Sequence, residues 1–76
     1  MNRTNLHLKS LSEQAKQQEK IRQTIDGLPF RYQEVMKLVY DSGFSLVETA
    51  LITDSTINTV KIRLSHAHQK VNSALQ

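Results

Sequence analysis

Apolar residues fall along this chain in clusters that repeat every three or four positions, the spacing of helices with one buried face. Val60, Leu64, Ala67 and Val71 form the cleanest of these faces, and they predict a helix from just after Thr56 to about Leu75. Tyr32, Val35, Met36, Val39 and Tyr40 mark the inner face of another, running from about Pro29 to Asp41. A third, short helix is expected from about Ser45 to Ile52. There Ser45-Leu46-Val47-Glu48 has the form of a capping box, and the small Ala50 allows a close crossing. The N-terminal stretch from about Leu6 to Ile25 is rich in Gln, Lys and Glu, which are good helix formers. Leu8, Leu11 and Ala15 make one sparse stripe there, and Ile21, Ile25 and Leu28 make a second. Lys16 to Lys20 separates them without an apolar residue, so the second half is expected to pack and the first to be frayed helix or linker.

The breaks agree with this division. Asp26-Gly27-Leu28-Pro29 stops one helix and starts the next, because a proline in the first turn gives up no needed N–H. Gly43 can take a left-handed cap after Ser42. Thr53-Asp54-Ser55-Thr56 is polar and full of cap formers, and reads as a turn. No alternating strand pattern or hairpin signal intervenes. The expectation is an all-α fold, a small helical bundle with a C-terminal helix-turn-helix. Residues 1–22 form a helical or linker segment, and residues 23–76 form the domain. The expected core is Val35, Val39, Ala50, Val60, Leu64 and Ala67.

Charge sharpens the picture. Seven bases (Arg3, Lys9, Lys16, Lys20, Arg22, Arg31, Lys37) offset seven acids (Glu13, Glu19, Asp26, Glu34, Asp41, Glu48, Asp54). The formal net charge of +3 therefore resides in Lys61, Arg63 and Lys70, in a segment from Ser55 onward that holds no acid. An unopposed basic helix is a candidate nucleic-acid contact. Its cations suit phosphates. Asn58 and Thr59, in the first turn, suit base edges, with helix-start chemistry (Thr56 as N-cap) as the alternative use of that turn. Ile57 is expected either to fill space at the turn or to lie on the surface. Ile62 is expected to meet thymine methyls or a protein partner.

Other chemistry finds little support. Cysteine is absent, so a disulfide framework or Cys-based zinc site is ruled out. His66 and His68 point to nearly opposite sides of a helix, a poor start for a metal site. Partial charging of these two near neutral pH would tune affinity for DNA. No nucleophile–base pair or phosphate loop is present, so neither enzymatic activity nor a cofactor is expected. No apolar run approaches a membrane span, and the absence of a signal-like N-terminus points to the cytoplasm. A chain this short is expected to hold roughly 3–5 kcal/mol of stability.

Three blocks of the chain resemble region four of bacterial sigma factors. They are Leu28-Pro29-Phe30-Arg31-Tyr32-Gln33-Glu34-Val35, Tyr40-Asp41-Ser42-Gly43-Phe44-Ser45-Leu46-Val47-Glu48-Thr49-Ala50, and Thr59-Val60-Lys61-Ile62-Arg63-Leu64-Ser65-His66-Ala67. They align without a gap from Leu28 to Val71, and the extracytoplasmic-function group is the closest in flavour. The resemblance implies a module that binds the −35 element of double-stranded promoter DNA and docks on the β flap of the RNA polymerase core. An anti-sigma factor or a separate region-two partner would be further partners. The chain has no room for region two, so a module rather than a complete sigma factor is expected. Asn58, Thr59, Lys61, Ile62, Arg63, His66 and Lys70 are the expected DNA-binding residues.

The departures fall in and around the turn. Asp54 and Ser55 stand where the family usually has glycine and an aliphatic residue, which predicts a looser or differently packed turn. Thr49 and Thr53 replace usual aliphatics, and His66 and His68 replace outer-face arginines. Two other functions fit the same pattern. One is an independent dimeric helix-turn-helix regulator using Leu8, Leu11 and Ala15. The other is a protein-interaction helix-turn-helix that holds polymerase or a regulator through Ile57 and Ile62.

Overall fold

The computed structural model describes the backbone of residues 2–75 and the side chains of residues 11–75. Four helices follow in order: α1 (Asn2–Asp26), α2 (Phe30–Met36), α3 (Leu46–Ile52) and α4 (Ile57–Leu75). A π-helical turn, Lys37–Asp41, continues α2. None of the described helices is long and apolar enough to cross a membrane.

α4 is the central element and packs against α1, α2 and α3. Its buried residues are Val60, Leu64, Ala67 and Val71, the face predicted from their spacing. Leu28, Val35, Met36 and Ala50 complete the core, with Ile21, Ile25, Tyr32, Val39, Leu46 and Leu75 packed around it. Val39 is half-buried rather than central.

α1 is one continuous helix through the stretch that lacks apolar residues. Lys, Gln and Glu sustain a helix without help from packing once it has started. Among the described side chains of α1, Ile21 is the first to pack against the core, and every side chain from Leu11 to Lys20 is exposed. Leu8, part of the proposed dimer stripe, lies outside the described side chains. An Arg22–Glu19 pair lies along the exposed side, and Lys37 reaches Asp26 at 3.2 Å to tie the π turn to the end of α1.

The π turn alters the phase of the expected second helix. Its wider bonding pattern ends in Ser42 N–H to the Lys37 carbonyl and Phe44 N–H to the Leu38 carbonyl, both at 3.0 Å. Gly43 sits between them at φ 74°, the left-handed conformation its lack of a Cβ permits. Tyr40, assigned to the inner face from the sequence, is 57% exposed, because eight residues on from Tyr32 it falls on the flank of the helix rather than over the core.

Candidate nucleic-acid interface

The helix-turn-helix is α3, a turn at residues 53–56, and α4. The predicted capping box starts α3. Ser45 Oγ accepts from the Glu48 N–H at 3.1 Å, and the Ser45 N–H donates to Glu48 Oε1 at 2.9 Å. That backbone N–H holds the Glu48 carboxyl below its ordinary pKa, with a further contribution from the Ser45 side chain.

The turn is closed, and of the two expectations, looser or differently packed, it is the second that it meets. The Ser55 N–H reaches the Ala50 carbonyl at 2.9 Å and the Asp54 N–H reaches the Leu51 carbonyl at 3.3 Å. This is a Schellman motif, and it requires a left-handed residue after the C-cap. Asp54 supplies it at φ 53°. Aspartate tolerates that region better than most residues, so glycine is dispensable there at a cost in strain.

Hydrogen bonds do the work at Ser55 that an aliphatic side chain was expected to do. The Thr53 hydroxyl donates to the Thr49 carbonyl at 2.8 Å, and the Ser55 hydroxyl donates to the Thr53 carbonyl at 3.2 Å. Arg63 Nη1 then donates to Ser55 Oγ at 3.1 Å, bridging turn and recognition helix. Ile57, next to the turn, is 40% exposed. Beneath the turn Thr49 is fully buried, and its hydroxyl has no hydrogen-bond partner.

Thr56 caps α4. Its Oγ1 accepts from the Thr59 N–H at 3.0 Å and lies 2.9 Å from the Thr59 hydroxyl. Thr59 is half-buried and engaged in this cap. This is the helix-start use of that turn, which the sequence left open beside a base contact.

The remaining residues of α4 sort by angle, at about 100° per residue from the buried face. Asn58, Ile62, Ser65 and Gln69 lie directly opposite the core, and all four are exposed. Lys61 lies on one flank of this line, and Arg63 and Lys70 on the other. Among the described residues these three cations have no carboxylate partner, whereas Arg22, Arg31 and Lys37 each have one. Lys61 and Lys70 are exposed. Arg63 is half-buried and drawn back to the turn, which sequence alone did not reveal.

His66 and His68 are both exposed, and both are also engaged within the fold. Each meets a tyrosine packed beside α4: Tyr32 of α2 for His66, and Tyr40 of the π turn for His68. Tyr32 Oη lies 3.3 Å from His66 Nδ1, and Tyr40 Oη lies 2.6 Å from His68 Nε2. Both ring pairs are edge-to-face, with centroids 5.8 and 5.4 Å apart. Two residues apart on a helix means nearly opposite sides, so the tyrosines straddle α4 and join it to α2 and to the π turn. Of the seven expected DNA-binding residues, the structure leaves Asn58, Lys61, Ile62 and Lys70 open, and engages Thr59, Arg63 and His66 within the fold.

α3 contributes no base to this surface. Val47, Leu51 and Ile52 are exposed on it beside Glu48, and Leu51 is 77% exposed. This apolar face was not singled out from the sequence, because a helix of seven residues gives too short a run to tell its core side from its outer side.

A line of neutral side chains flanked on both sides by cations suits a helix lying in the major groove. The groove floor presents base edges, and its two rims present phosphates. Comparison with curated proteins gives no match. The family model for sigma-70, region 4 matches residues 18–71. The chain belongs to that family, and is a sigma-factor-like, DNA-binding helix-turn-helix module of transcription initiation.

Proposed function

We propose that this module binds the −35 promoter element through α4 and docks on the β flap of RNA polymerase, in the manner of the extracytoplasmic-function group. The observation that carries the DNA half is the neutral outer line of α4, flanked by Lys61 on one side and by Arg63 and Lys70 on the other. Asn58 lies at the N-terminal end of that line, where base contacts of such helices concentrate. The lysines neutralise phosphates, and Arg63 combines a turn contact with a phosphate contact through its remaining N–H groups.

The exposed apolar face of α3 supports the docking half. Val47, Leu51 and Ile52 beside Glu48 are poorly suited to phosphates and well suited to a protein surface. A region-two partner and an anti-sigma factor are part of the same proposal, as is action in the cytoplasm.

Binding of polymerase core and of promoter duplex by the same variants tests both halves. Asn58→Ala is expected to change base preference and leave polymerase binding intact. Leu51→Asp is expected to weaken polymerase binding and leave duplex binding intact. If Leu51→Asp removes all function and Asn58→Ala removes none, the chain is a protein-interaction module.

A further inference from the structure

The outer line of α4 lacks the residue types that read guanine. Bidentate contact with the O6 and N7 of guanine comes from Arg or Lys. Here Asn58, Ile62, Ser65 and Gln69 occupy the outermost positions, and every cation lies to the side. Asparagine is instead matched to adenine, whose N6 and N7 it meets with its carbonyl and its amide N–H. Ile62 lies one turn further along the same line, at its middle, and is 49% exposed. Within a major groove the apolar group that such a side chain can meet is the C5-methyl of thymine.

The spacing fits two nearby base pairs. Four residues of helix advance about 6 Å. Base pairs stack about 3.4 Å apart. Asn58 and Ile62 therefore reach positions about two base pairs from each other when α4 runs along the groove.

On the reading that α4 enters the major groove, we infer that this module selects A·T pairs, with Asn58 on adenine and Ile62 packed on a thymine methyl about two base pairs away. Ile62 is a specificity residue in this arrangement, and Lys61, Arg63 and Lys70 contribute affinity without sequence preference.

Uracil substitution isolates the methyl. Two duplexes of identical A·T-rich sequence are compared by fluorescence anisotropy, one with thymine and one with deoxyuracil, which lacks only the C5-methyl. The chain is expected to bind the uracil duplex about four-fold more weakly for one buried methyl. Ile62→Ala is expected to bind both duplexes equally, and because the side chain is exposed this variant keeps its fold. Equal binding of the two duplexes by the unaltered chain overturns the inference and leaves DNA binding by α4 standing. A uracil penalty of equal size in the chain and in Ile62→Ala overturns the role of Ile62, because the methyl is then felt through DNA shape. Failure to bind either duplex at low salt overturns the DNA reading itself.

Discussion

Arg63 Nη1 donates to Ser55 Oγ across the turn at 3.1 Å, so a cation of the expected DNA-binding set also holds the helix-turn-helix together. This distinguishes it from Lys61, which is exposed on the opposite flank of α4. Arg63→Ala is expected to lower the stability of the fold by about 1 kcal/mol, the usual worth of one hydrogen bond, while Lys61→Ala leaves it unchanged. Chemical denaturation of the two variants checks this. Equal stability would mean that the arginine contact adds nothing to the turn.

Asp54 occupies a left-handed position at φ 53° that favours glycine. A non-glycine residue there bears a strain of about 1–2 kcal/mol. Asp54→Gly relieves that strain and adds some unfolded-state entropy, so a net gain of about 0.5–1 kcal/mol is expected. A higher denaturation midpoint is the expected outcome. A lower one would show that the aspartate side chain stabilises the turn by more than its backbone strain costs.

Thr49 is fully buried with its hydroxyl unpartnered. An unpaired buried hydroxyl costs about 1–3 kcal/mol. Thr49→Val keeps the shape and removes the polar atom, and should raise stability by about 1 kcal/mol. A loss on the same substitution, read from thermal melts, would show that the hydroxyl is satisfied in solution.

Glu48 closes the capping box of α3 as a carboxylate. The Ser45 N–H holds its folded pKa below the ordinary glutamate value. The unfolded state therefore takes up the proton first as pH falls. Its contribution is complete above the unfolded value of about 4.3 and disappears as pH drops through the folded one. Glutamine can still close a capping box but cannot titrate. The difference in Tm between the chain and Glu48→Gln should therefore shrink from pH 6 to the acid end of the series. A difference independent of pH would contradict the ionic part of this cap.

What could be read from the residues was whatever repeats or caps locally. Val60, Leu64, Ala67 and Val71 follow the α-helical period, so their burial was legible. Ser45 and Glu48 lie three apart in the form of a cap, and form it. What escaped depends on phase or on contacts across the fold. The π turn at Lys37–Asp41 shifts the helix by a fraction of a turn that no residue type announces. Arg63 and Ser55 are eight residues apart and meet only once the turn is closed. The two histidines could be placed on opposite sides of α4. Their tyrosine partners, 34 and 28 residues away, could not be found without the packing of α2.

The salt dependence of duplex binding tests most directly whether α4 is the DNA-contacting element. A single module of this kind buries only about 600–1,000 Å² of protein surface, so weak binding is expected and low salt is the place to measure it. Three phosphate contacts, from Lys61, Arg63 and Lys70, predict a slope of log K against log salt near −2.7, at about −0.9 for each. Lys61→Ala and Lys70→Ala should each reduce the slope by about one unit across all sequences. A slope unchanged in both variants, or no detectable binding to duplex DNA at low salt, would contradict it.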